Sequence, residues 1–64
     1  MKISVKEKMK EAEQISLRHP EILYRVMDKN GKRAIVTGSE WIYRERILEG
    51  YFTVATFKNG EIIE

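Results

Sequence analysis

The tripeptide Lys-Asn-Gly occurs twice, at Lys29-Asn30-Gly31 and at Lys58-Asn59-Gly60, each time between runs rich in β-branched and aromatic residues. Asparagine and glycine accept the positive φ that a tight hairpin turn needs at its two central positions, so each run, turn and run reads as an antiparallel β-hairpin. The first hairpin joins residues 22–28 to Ala34-Ile35-Val36, and the second joins residues 51–57 to Ile62-Ile63. The two asparagines are 29 residues apart. The turn itself demands Asn-Gly, which explains the repeat without a duplication.

The segment before the first hairpin predicts a helix. Ser4 and Glu7 have the S-x-x-E form of a capping box, in which each side chain satisfies the other's free backbone N–H. Val5, Met9, Ala12 and Ser16, with Ile15 beside them, form one narrow apolar stripe against Lys6, Glu7, Lys10, Glu13 and Gln14. Pro20 disfavours helical geometry at His19, so the helix ends there, with Arg18 and His19 at its electron-rich terminus.

Residues 37–50 admit two readings. As a helix, Thr37 and Glu40 repeat the capping box and Gly50 is the left-handed terminal residue, with Trp41, Tyr43, Ile47 and Leu48 on one broad face and Ile42 misplaced. As a strand, Gly38-Ser39 and Glu49-Gly50 become turns and Glu45 is misplaced. The helix is favoured because Arg44, Glu45, Arg46, Leu48 and Glu49 are good helix formers. The expected fold is a small α+β domain over residues 1–64, ordered αββαββ, with an antiparallel sheet of about four strands packed by two helices. The alternative is an N-terminal helix on a five-stranded antiparallel meander.

No staple supports this fold, because the 64 residues include no cysteine and a single histidine, His19. Apolar packing has to hold it, and a core of this size supplies roughly 3–5 kcal/mol net. About four of the six aromatics (Tyr24, Trp41, Tyr43, Tyr51, Phe52 and Phe57) are therefore expected in the core, leaving one or two for a partner.

The catalytic inventory is thin. His19 reads as a helix-terminal residue, Ser4 and one of Thr37 or Ser39 have capping work, and no hydroxyl has a base nearby. Glu7, Glu11 and Glu13 lack calcium-loop spacing, and the four glycines never form a phosphate-cradling loop. The expectation is a non-enzymatic protein with no metal, nucleotide or other cofactor.

No apolar run exceeds three or four residues, as in Ile22-Leu23-Tyr24, which argues against a signal peptide and a membrane span. A cytoplasmic location is expected, compatible with the missing cysteines. A short lysine- and glutamate-rich chain of this kind is similar in manner to small bacterial or prophage proteins, with no motif that anchors a family.

Charge is nearly balanced at +2, yet nine basic and five acidic residues precede or include Arg33, against three basic and five acidic after it. Arg25, Lys29, Lys32 and Arg33 on the first hairpin, with Trp41 or Tyr24 as a stacking platform, are the candidate surface for a nucleic acid. Lysines at an exposed turn tip are expected in any case. The leading expectation is therefore an interaction or regulatory module that binds another protein, itself or a different one, through a sheet edge or an aromatic patch. A nucleic-acid-binding module using the basic hairpin is the alternative.

Overall fold

The computed structural model describes residues 5–63. Its elements are α1 (Val5–Arg18), β1 (Tyr24–Lys29), β2 (Arg33–Thr37), α2 (Glu40–Leu48), β3 (Phe52–Lys58) and β4 (Glu61–Ile62). This is the αββαββ order, and it decides residues 37–50 in favour of the helix. The Ser4 half of the first capping box lies outside the described residues.

Both Asn-Gly pairs form their turns with positive φ at both residues: Asn30 and Gly31 at 57° and 68°, Asn59 and Gly60 at 52° and 80°. That backbone matches the twist of the strands it joins. In the second hairpin Lys58 pairs directly with Glu61. In the first, Lys32 is left over before Lys29 pairs with Arg33, and Asp28 Oδ2 accepts a hydrogen bond from the Gly31 N–H at 2.9 Å.

The strands lie in the order β2-β1-β3-β4, every neighbouring pair antiparallel. β2 and β3 both run opposite to β1, so they are parallel to each other, and α2 has to carry the chain from one to the other across β1. Side chains alternate faces along β1. Tyr24 and Val26 join Ala55, Phe57 and the α1 residue Ala12 in the core, with Val5, Met9, Ile15, Ile22 and Val36 packed against them. The predicted stripe of α1 is thus the face laid on the sheet. Arg25, Met27 and Lys29 point to the opposite face, where α2 lies.

β3 carries an extra residue: Val26 faces Ala55 and Met27 faces Thr53, which leaves Val54 as a bulge. Of the six aromatics, Tyr24, Tyr51 and Phe57 are buried, Tyr43 is half-buried, and Trp41 and Phe52 are exposed. The core thus holds three aromatics where about four were expected, with Tyr43 only half-buried.

Ser16 ties the first helix to the last hairpin. Its fully buried hydroxyl donates to the Glu13 carbonyl at 2.9 Å and accepts from the Gly60 N–H at 2.8 Å. The approach is close enough that a Cβ on Gly60 would lie 2.5 Å from Leu17 Cδ2. Ser16→Ala strands the Gly60 donor, and the expected loss is about 1–2 kcal/mol even after alanine's small gain in helix propensity. Urea unfolding checks this, and a variant as stable as the parent would show that the bond contributes nothing.

Candidate functional site

α2 is a nine-residue helix that buries none of its residues. Its start differs from the expected capping box. Ser39, at φ −96° and ψ 125°, is the N-cap, and its hydroxyl accepts from the Ile42 N–H at 3.3 Å. Thr37 acts one step earlier, its Oγ1 accepting from the Ser39 N–H at 3.2 Å. Glu40 is too close to Ser39 to close a reciprocal box and turns instead to Arg25. The helix ends as predicted at Gly50, whose φ of 102° suits a residue without a side chain.

One side of α2 is fastened to the sheet by polar and aromatic contacts. The Arg25 guanidinium reaches both Glu40 carboxylate oxygens, at 3.0 and 3.1 Å, and lies 4.0 Å from the centre of the Tyr43 ring. The Tyr43 hydroxyl meets Thr53 Oγ1 at 3.4 Å. Beyond the helix, Tyr51 donates its N–H to the Arg46 carbonyl at 3.0 Å.

The other side faces outward. Trp41 is 72% exposed and Leu48 87% exposed, and with Arg44 and Glu45 they line one open depression. Tyr43, Arg44, Ile47 and Leu48 line a second beside it. The predicted shared face of Trp41, Tyr43, Ile47 and Leu48 is therefore split. Residues 41 and 43 are two apart, roughly 200° around a helix, so they cannot point the same way. Tyr43 goes to the sheet and Trp41 to the surface.

The five sequence-predicted surface residues do not form one site. Arg25 is held between Glu40 and Tyr43, with 16% of its side chain exposed, and serves the fold. Lys29 Nζ lies 5.7 Å from the centre of the Tyr51 ring. Lys32 and Arg33 are exposed and, with Lys29 and Asn30, line a shallow depression at the hairpin tip. Trp41 lines its own depression with α2 residues and none of the basic hairpin.

Sequence reasoning sets Arg44 beside the basic hairpin rather than beside Trp41, and it misses Leu48 and Glu45 as surface residues. The signal was present in the i, i+3, i+4, i+7 spacing of 41, 44, 45 and 48, which places all four on one stripe. Among the described residues no cluster of three or more His, Asp or Glu side chains could hold a metal ion, and no helix is long and apolar enough to cross a membrane. No family model, curated protein or solved structure matches this chain.

Proposed function

We propose that this chain is a non-enzymatic, cytoplasmic interaction module that binds another protein through the outward face of α2. The observation that carries this reading is a helix with no buried residue that leaves a tryptophan and a leucine largely exposed. Isolated helices of this length are marginal in water and gain their stability from a packed apolar face. Contiguous exposed apolar side chains with a charged rim mark protein interaction sites.

The sheet edges support this less well. β4 covers only the last residues of β3, leaving Phe52, Thr53 and Val54 on an open edge, but the bulge at Val54 breaks the register that an added strand would need. The nucleic-acid alternative loses Arg25 to its intramolecular partners and keeps Lys29, Lys32 and Arg33. About three phosphate contacts on a single strand would give a log–log salt slope near −2.

A photo-crosslinking residue at position 48, irradiated in cells, tests the reading. The expected result is a nuclease-resistant protein adduct of defined mass, lost with Trp41→Ala and retained when Lys32 and Arg33 are both changed to Glu. An adduct that disappears with nuclease and with the two charge reversals would instead make the basic hairpin the functional surface.

A further inference from the structure

The charges beside Trp41 and Leu48 say more about what covers them. Seven residues make about 20° less than two full helical turns, so Trp41 and Leu48 form one ridge, spaced about 10 Å apart along the axis. By the same geometry Arg44 lies about 50° to one side of that ridge and Glu45 about 50° to the other. Neither side chain has an ion-pair or hydrogen-bond partner among the described residues, whereas Arg46 is paired with Glu49 and Glu40 with Arg25.

A ridge flanked by opposite charges is complementary to itself in one orientation. When two such helices pack side by side about a two-fold axis parallel to them, the basic flank of each meets the acidic flank of the other. Trp41 then packs on Trp41 of the second copy, Leu48 on Leu48, and Arg44 reaches Glu45 on both sides of the seam. Antiparallel packing would instead set Arg44 against Arg44 and Glu45 against Glu45, which like-charge repulsion disfavours.

Resting on the reading that this face is a docking surface, we propose that its occupant is a second copy of this chain, forming a parallel α2–α2 homodimer. The ridge is small. It offers well under the roughly 800 Å² per partner of a stable complex, so the dimer is a weak one that dissociates on dilution.

Sedimentation equilibrium of the full chain is expected to show the mass rising from one chain towards two between about 10 µM and 1 mM. Arg44→Glu and Glu45→Arg, each on the exposed face and checked for folding by circular dichroism, are each expected to weaken dimerisation about tenfold. Mixing the two variants, or combining them in one chain, restores it. Because the chain has no cysteine, Leu48→Cys supplies a unique thiol, and mild oxidation is expected to link two copies through it.

A chain that stays monomeric at about 1 mM, while the residue-48 crosslinker still captures a different protein, overturns the second copy and leaves the docking face standing. A dimer indifferent to Arg44, Glu45 and Leu48 overturns the α2–α2 seam, and the absence of any protein adduct at residue 48 overturns the docking face itself. A Leu48→Cys variant that links only to a Trp41→Cys variant overturns the parallel arrangement.

Discussion

Met27→Ala is expected to leave the domain largely unfolded at 25 °C. Met27 is completely buried and sits on the α2 side of the central strand, opposite Ile35 of β2 and Thr53 of β3. Truncating a fully buried methionine costs about 2–5 kcal/mol, from the lost transfer energy and from the cavity left behind. A core of this size supplies about 3–5 kcal/mol in total, so the loss takes most of the margin. Met27→Leu conserves volume and should cost less than about 1.5 kcal/mol, which separates packing from any other role of the side chain. Chemical denaturation of the two variants side by side decides the matter. If alanine cost under about 1 kcal/mol, the second face of the sheet would have no packed layer beneath α2.

The second large effect is expected from Glu45→Pro. Residue 45 is in the interior of α2, where proline removes an i to i−4 hydrogen bond and its ring meets the carbonyl one turn back, at about 3 kcal/mol or more. Glu45 itself is exposed and unpaired among the described residues, so the variant tests the helix backbone and nothing else in the fold. A broken α2 releases the Glu40 and Tyr43 contacts with Arg25. Cooperative unfolding should therefore be lost or shifted to much lower temperature, while Glu45→Ala, an exposed change to the best helix former, stays within about 0.5 kcal/mol of the parent. A Glu45→Pro protein that melts within two or three degrees of the parent would show that α2 is dispensable to the sheet.

The face of the sheet that carries α2 is the one on which the sequence was least explicit. Local chemistry determined the rest. The Asn-Gly turns have few alternatives because they need two consecutive positive-φ residues, the apolar stripe of α1 repeats over three turns, and Pro20 stops it. Those signals depend on neighbours a few residues away, so the first helix and both hairpins can be read from the chain, while residues 37–50, where Gly50 suits a helix end and a turn alike, stay open between helix and strand.

Only the tertiary structure decided how the second helix is used. Arg25 reads as a free cation by its place in a basic run, and Trp41 as part of the same surface. Once α2 crosses β1 the first assignment reverses, and Trp41, though exposed, lies apart from the basic hairpin. The crossing brings Glu40 and Tyr43 over Arg25, fifteen and eighteen residues away in the chain, and that pairing fixes which side of α2 turns inward. Trp41 and Leu48 are then left in water, because a helix side that is not against the sheet has nothing else among the described residues to cover it.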